Sequence, residues 1–431
     1  MQIPVILSKD FNDIIDQLEY SPNHFFITGR AGTGKSTLLN VFRNATKKKV
    51  VVLAPTGIAA LNVKGQTIHS FFGLPPRLIK SQEIEKRKNT QVFKKVETII
   101  IDEISMVRAD IMDHINYCLQ LYRQNNLPFG GVQMIFFGDL FQLPPVIATP
   151  FERNYFKTHY QSPYFFSAKI LQQLPLQILQ LQHVYRQEEK RFIKLLDGIR
   201  TNSIDYEDLA EINERYVTLP ESKDFYITLT SRNDTAHKIN EEALQMIKEP
   251  EYEYAAYIEG EFNPQLFPTE HRLRLKTGAQ VMLIKNDLEK QYVNGTIGKI
   301  KELGADYIKI TIPDRSGNTK DITIDKHDWE ILRYDQDRDN PDKITTRVVG
   351  IFRQYPVRLA WAITIHKSQG KTFDKVIIDM AGGAFESGQS YVALSRCRTL
   401  QGIILKNPLK PRDIIVDPDI VEYYGQCRYL S

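Results

Sequence analysis

The sequence predicts an α/β protein in which one chain builds two parallel sheets, the second interrupted by a small antiparallel barrel. Three observations predict it. Short apolar runs alternate with stretches of helical periodicity in both halves of the chain, the pattern of strands covered on both faces by helices. A glycine loop, Gly29-Arg30-Ala31-Gly32-Thr33-Gly34-Lys35-Ser36, stands between a strand-like run and a helix-like one. Between residues 275 and 353 the character changes to close-set alternating strands, punctuated by Asn294-Gly295, Gly304 and Gly317-Asn318.

Composition sets the outer limits. A chain of 431 residues suits roughly two to four domains. With 42% hydrophobic and 25% charged residues it has the make-up of a soluble globular protein with room for a sizeable core. No apolar run reaches the length of a bilayer span. The first residues, with Asp10 and Asp13 close behind, lack the plan of a signal or transit peptide. A cytoplasmic, microbial protein without membrane contact is expected. The net charge of +4 is too small to argue for nucleic acid by itself. Lys47-Lys48-Lys49 and Lys86-Arg87-Lys88 read as solvated surface. Cys118, Cys397 and Cys427 lie too far apart for a zinc spacing or a disulfide framework, so free thiols are expected.

The first strand, His24-Phe25-Phe26-Ile27-Thr28, feeds the glycine loop, and Ser36-Thr37-Leu38-Leu39 opens a helix. This order aims backbone N–H groups and a helix start at phosphate oxygens. Gly32, Thr33, Gly34 and Thr37 line such a loop, Lys35 reaches the β and γ phosphates of a nucleoside triphosphate, and Ser36 holds Mg²⁺. Val50-Val51-Val52-Leu53-Ala54 is a strand buried on both faces, ended by Pro55-Thr56-Gly57. Thr67-Ile68-His69-Ser70-Phe71-Phe72 mixes hydroxyls, a histidine and aromatics, a set able to hold a phosphate backbone and stack a base, or to fill a core. Residues 74–90 read as a charged surface excursion.

Thr98-Ile99-Ile100-Ile101-Asp102-Glu103 ends an apolar strand in two carboxylates. Asp102 is placed to bind Mg²⁺ and Glu103 to polarise the attacking water. Residues 110–124 have helical periodicity through Ile111, Ile115, Leu119 and Tyr122. Gln133-Met134-Ile135-Phe136-Phe137 is a further strand, and Gln142 after it suits a γ-phosphate sensor, since its amide both donates and accepts. In the second half, Val184-Tyr185-Arg186-Gln187 puts Arg186 at a strand-to-helix junction as a candidate arginine finger. Residues 225–230 are a strand and 233–246 a helix. After the barrel, Val357-Arg358-Leu359-Ala360-Trp361-Ala362 resumes the parallel sheet. Thr364-Ile365-His366-Lys367-Ser368-Gln369-Gly370-Lys371-Thr372 is dense in donors at a helix start, fit to grip phosphate and report to the nucleotide cleft. Tyr391-Val392-Ala393-Leu394-Ser395-Arg396 ends in a second candidate finger.

Taken in order, residues 29–36, Ala54-Pro55-Thr56-Gly57-Ile58-Ala59-Ala60, Thr67-Ile68-His69-Ser70-Phe71, Asp102-Glu103-Ile104-Ser105-Met106 and Gly138-Asp139-Leu140-Phe141-Gln142-Leu143-Pro144-Pro145 resemble the motifs of superfamily-one helicases. Residues 108–131, with Phe129-Gly130-Gly131, resemble the signature of the petite-integration-frequency (PIF) DNA helicases, as a bacterial-type minimal core, and tip the reading away from RecD-type relatives. The resemblance runs from about residue 25 to 405. It implies two RecA-like parallel-sheet domains, the first at 1–180 with a small wedge insertion at about 63–80, the second at 181–291 and 351–431. It implies an SH3-like β-barrel insertion at 292–350. It implies an ATP- and Mg²⁺-dependent motor moving 5′→3′ on single-stranded DNA, opening duplexes, forks, RNA–DNA hybrids and G-quadruplex DNA, and a monomer in solution. Catalysis then falls to Lys35, Asp102, Glu103, Gln142, Arg186 and Arg396, with Gly370 beside the nucleotide. The strand falls to Pro55, Thr56, Gly57, His69, Ser70, Phe71, Thr364, His366 and Lys367. One departure stands out. The family places an adenine-reading Gln just before the loop, and Phe11 occupies that place; Gln2 or Gln17 substitutes for it, or adenine discrimination is loose. Two rival readings are a nucleotide switch, which would turn over ATP independently of DNA, and a single-strand binding protein, which would lack ATPase stimulation.

Overall fold

The computed structural model describes residues 9–426 apart from 76, 79–89, 175, 221–222, 288, 290, 315–317, 338–339, 341–342 and 381. Lys86-Arg87-Lys88, most of the charged 74–90 segment, Gly317, Cys427 and Gln2 lie outside the described residues.

Six strands form the first parallel sheet: β1 (His24–Gly29), β2 (Val50–Ala54), β3 (Gln66–Thr67), β4 (Thr98–Ile101), β5 (Gln133–Phe137) and β6 (Leu176–Leu181), in the order β3-β2-β4-β5-β1-β6. Because side chains alternate between faces, the apolar runs feed two cores at once. Phe26, Ile99, Ile101, Met134 and Phe136 face one; Phe25, Ile27, Ile100, Ile135 and Phe137 face the other. The helix Lys35–Ala45 seals the second face with Leu38, Leu39 and Phe42.

The second parallel sheet holds β7 (Ile227–Thr230). The chain then enters ten antiparallel strands: β8 (Glu251–Ala255), β9 (Tyr257–Gly260), β10 (Arg272–Lys276), β11 (Gln280–Leu283), β12 (Ile297–Leu303), β13 (Ile308–Pro313), β14 (Thr319–Ile324), β15 (His327–Gln336), β16 (Ile344–Gln354) and β17 (Val357–Leu359). They pair as a five-stranded sheet β14-β13-β12-β11-β17, a ribbon β10-β8 and a three-stranded sheet β15-β16-β9. Finally β18 (Ala362–Thr364), β19 (Val376–Asp379) and β20 (Ile403–Leu405) complete the second sheet as β18-β7-β19-β20, all parallel. This is the two-sheet α/β architecture expected.

Its inner boundaries differ from the reading at 292–350. Antiparallel pairing starts at Glu251 and ends at Leu359. Val357 belongs to β17, which pairs with β11, so the parallel sheet resumes only at Ala362. The described part of the segment read as a wedge at 63–80 is joined to the first sheet. Gln66–Thr67 is the edge strand of the first sheet, and Phe71 and Phe72 lie in its core.

Two returns of the chain tie the sheets together. The β15–β16 hairpin carries Tyr334 to the first sheet, where the Val52 N–H, beyond the short β3, donates to Tyr334 Oη at 2.9 Å. The helix Pro418–Gln426 lays Tyr424 on Phe141 with ring centroids 5.2 Å apart, and its hydroxyl lies 2.8 Å from Thr28 Oγ1.

Candidate active site

The end of β1, the helix Lys35–Ala45 and the ends of β4 and β5 all open toward the second sheet. There they enclose a cleft of about 530 Å³. The loop supplies Gly32, Thr33, Gly34, Lys35, Ser36 and Thr37; the strand ends supply Glu103 and Gln142; the second sheet supplies Arg186, Gly370 and Arg396. Residues more than 300 positions apart thus meet in one space. Asp102 is buried beside Glu103 at the end of β4.

The two sheets touch closely enough to demand glycine. Gly32 has φ +84°, and a Cβ built there would lie 2.5 Å from Arg186 Cβ. At Gly388 (φ +73°) it would lie 2.4 Å from the Phe141 and Gln142 carbonyl oxygens. A side chain at either place would push the sheets apart.

The cleft is a cationic site. Lys35 Nζ donates to the carbonyl oxygens of Gly29 and Arg30 at 2.7 and 2.9 Å. Burial lowers its pKa to about 8, against the pull of Asp139 and Glu103. Arg186 donates to the Ser395 carbonyl at 3.2 Å, and burial, then Arg396, lowers its pKa to about 9. Arg396 is fully buried, held by the Val392 carbonyl at 2.9 Å and Ser395 Oγ at 2.8 Å, with its pKa lowered by burial to about 10. One buried cation, Arg396, and two half-buried ones, Lys35 and Arg186, all disfavoured by desolvation, are the complement of a polyanion such as a triphosphate. Among them stand two carboxyls. Burial, then Glu103, raises Asp102 to about 7. Burial also raises Glu103, while Lys35 and Arg396 oppose it.

The donor set also fits Mg²⁺. Ser36 has its hydroxyl exposed at the cleft, and the Asp102 carboxyl is pushed up by burial and by Glu103 against the pull of Lys35; the two are oxygen donors of the kind a hard divalent cation would take.

Several residues at the site stood within motifs, or were passed over, without a role of their own in the sequence reading. Gln369 Nε2 donates both to Glu103 Oε2 at 3.2 Å and to Gln142 Oε1 at 3.1 Å. Asp139 is buried in an ion pair with Arg200 at 2.8 Å, and the Arg200 guanidinium lies 4.2 Å over the Phe141 ring. Tyr391 Oη accepts from the Ala31 N–H at 2.8 Å and donates to Asp139 at 3.4 Å. The loop is therefore held from the second sheet as well as the first. Phe11, Tyr185, Thr372 and Arg398 also line the cleft; a Cβ at Gly34 would sit 3.2 Å from Phe11 and 3.6 Å from Tyr185. Phe11 thus stands at the loop as an apolar wall, and Gln17 is exposed on the helix Lys9–Tyr20.

The expected strand-binding set is more mixed. Lys367 is exposed and lines a groove with Arg358, Lys371, Trp329 and Asn294, facing Ile58 and Leu61 of the helix Gly57–Asn62. Lys285 lies 5.1 Å over the Trp329 ring. Thr56 is exposed and its Oγ1 caps that helix, accepting from Ala59 N at 3.3 Å; Pro55 and Gly57 flank it, half-buried. His366 Nε2 is 3.1 Å from Glu386. His69 is half-buried, its pKa lowered by burial and then by Arg108, and the exposed Ser70 Oγ accepts from Gln66 at 2.8 Å. One expectation, Phe71, is corrected. Phe71 is buried among Phe72, Phe93 and Tyr334, with ring centroids 4.9, 4.9 and 6.0 Å away, so no face is open to a base. Thr364 is buried, and its hydroxyl accepts from Lys367 N at 3.3 Å as a helix cap.

A phosphate loop and acidic strand end on one parallel sheet, completed by arginines from a second, define a loop ATPase of the two-sheet helicase class. Comparison with known proteins makes this specific. The family model for PIF1-like helicase matches residues 6–209, and that for the DNA helicase Pif1 2B domain matches residues 263–303. The ATP-dependent DNA helicase Pif1 of Bdellovibrio bacteriovorus is 33% identical over 98% of this chain and 93% of its own length. The crystal structure of Bacteroides sp Pif1 in complex with ADP-AlF4 is 36% identical, covers 98% of this chain and 97% of that one, and overlays with a TM-score of 0.89. Bacteroides Pif1 bound to ssDNA, at the same identity and coverage, overlays at 0.70. The arrangement of parts in this chain is thus nearer the former. The chain belongs to the PIF1-like helicase family.

Proposed function

We propose that this ATP-dependent DNA helicase moves 5′→3′ along single-stranded DNA and opens the duplexes, forks, RNA–DNA hybrids and G-quadruplexes in its way. The observation that carries the reading is the meeting of Arg186 and Arg396 from the second sheet with the loop, Glu103 and Gln142 of the first in one cleft. Lys35 holds the β and γ phosphates, Glu103 takes a proton from the attacking water, Gln142 senses the γ-phosphate, and the two arginines neutralise charge that spreads over the transferring group. Ser36 and Asp102 would hold Mg²⁺, which supplies charge neutralisation of the phosphates when bound. The γ-phosphate is the one part of the ligand that both sheets grip. ATP therefore favours closure and hydrolysis releases it, a two-state cycle biased by the ligand.

The strand runs past Pro55, Thr56, Gly57, His69 and Ser70 of the first domain and His366 and Lys367 of the second, with Trp329 and Arg358 added from the groove. Contacts of this kind go to phosphate, sugar and base faces, so sequence preference is weak. We place the first RecA-like domain at 1–180 and the second from 181 onward, with the antiparallel insertion spanning the strands from Glu251 to Leu359. The protein acts as a monomer, on the nucleoid. Two partial duplexes, one with a 5′ tail and one with a 3′ tail, test the reading in Mg²⁺ and ATP. Unwinding of the 5′-tailed duplex alone is expected. Unwinding from the 3′ tail would reverse the polarity, and unwinding of neither, with ATPase unchanged by DNA, would end the motor reading.

A further inference from the structure

Hydrolysis needs a water molecule that gives one hydrogen bond to the general base and one to the residue orienting it. The acceptors for those bonds are Glu103 Oε2 and Gln142 Oε1. Both already accept from a single atom, Gln369 Nε2, at 3.2 and 3.1 Å, so the position between them that a water would take is filled. An amide NH₂ that donates twice at hydrogen-bond distance does what a water oxygen would do there. Gln369 comes from the second sheet. It follows directly on the four-residue helix Ile365–Ser368, whose Lys367 lines the basic groove and whose His366 Nε2 lies 3.1 Å from Glu386. The same short segment therefore carries both a plug and the proposed strand contacts.

We propose that Gln369 is a positioning residue that occupies the place of the attacking water and so holds ATP turnover down until DNA is bound. DNA gripped at His366 and Lys367 shifts the segment, withdraws Nε2, and frees Glu103 and Gln142 for water. The step is a conformational exchange of one donor for another. It rests on the helicase reading for the identity of the trigger, but the plug itself is a feature of the DNA-free protein.

The test is steady-state ATP turnover without DNA in Gln369→Ala and Gln369→Met, with the ATP KM and the melting temperature measured alongside. Methionine keeps about the length of glutamine but is uncharged and has no hydrogen to give Glu103. Both variants should raise DNA-free kcat by about two- to tenfold, the range set by losing one hydrogen bond of ordinary net worth. KM should stay near that of the unsubstituted protein, and the fold-stimulation by single-stranded DNA should shrink. Adding Glu103→Gln to either variant should remove the gain. A merely structural role would lower turnover and melting temperature together. DNA-free kcat unchanged or reduced in either variant that keeps its melting temperature would overturn the proposal. Because that comparison contains no DNA, it is separate from the helicase reading, which fails instead if the unsubstituted protein shows no stimulation.

Discussion

The nucleotide cleft and the strand groove are built from the same two sheets, yet their motif residues behave differently. In the cleft, the loop, Glu103, Gln142, Arg186 and Arg396 all turn their functional groups into one space. Of the residues expected to hold the strand, Thr56 and Thr364 cap helices, Ser70 accepts from Gln66, and Phe71 is core. The difference follows from the ligands. A triphosphate concentrates charge at one point, so side chains must converge on it. A nucleic-acid strand is long and repetitive, so a protein holds it with surfaces, and many motif residues serve to shape those surfaces.

Four substitutions or titrations sharpen this contrast, in falling order of effect. Lys35→Ala should cut ATP turnover by about a thousandfold or more, since it removes a desolvated cation aimed at developing charge. DNA affinity without nucleotide should change little; a comparable loss there would merge the two sites. Phe71→Ala should cost about 3–5 kcal/mol of stability, the usual result of emptying a packed aromatic site. Chemical denaturation reads that loss, and DNA binding well below the melting point should survive. A drop of about 1–3 kcal/mol in DNA affinity without destabilisation would instead restore Phe71 as a stacking residue.

Protonation separates the regions as well. Lys35, with its pKa lowered by burial to about 8, is charged below that pH and neutral above it, and the triphosphate needs the charged form. The KM for ATP should therefore rise as pH climbs through 8. His69 is held below its ordinary range by burial and stays neutral from pH 7 to 9, so a fall in DNA affinity across that window belongs to Lys371 of the groove, which burial lowers to about 8, and not to His69. A KM independent of pH would mean that Lys35 is not desolvated in the cleft. The smallest effect belongs to Lys367→Ala. It should weaken DNA binding uniformly across sequences and reduce the salt slope by about 1; an unchanged slope would take Lys367 off the phosphate path.

Much of this architecture was legible. Residues 50–54 and 98–101 are uninterrupted apolar runs, and such runs become strands buried on both faces. The glycine loop and the Asp102-Glu103 pair were legible because chemistry dictates their spacing. The insertion's edge was not. Glu251–Ala255 reads Glu-Tyr-Glu-Tyr-Ala: the alternation is there, but the run is only five residues long, holds two glutamates that are poor strand formers, and buries Tyr254 alone, so it was not taken up as a strand. The helix Pro150–His159 announces itself with a capping box of Thr149 and Glu152 around a first-turn proline, a signal that was present and not taken up. Gln369, Tyr391 and the Asp139–Arg200 pair were beyond reach for another reason. Their meaning lies in contacts between sheets, across 60 to more than 300 residues of chain, and no local pattern encodes such a contact.

The nucleotide site draws on both sheets at once. Single-turnover hydrolysis by Arg396→Ala and Arg186→Ala, with ATP affinity measured in parallel, tests it most directly. Each variant should still bind ATP within about tenfold of the unsubstituted protein and yet hydrolyse it about a thousandfold more slowly, the usual worth of an arginine finger. Hydrolysis at the unsubstituted rate in both would show that the first sheet works alone and would contradict the claim.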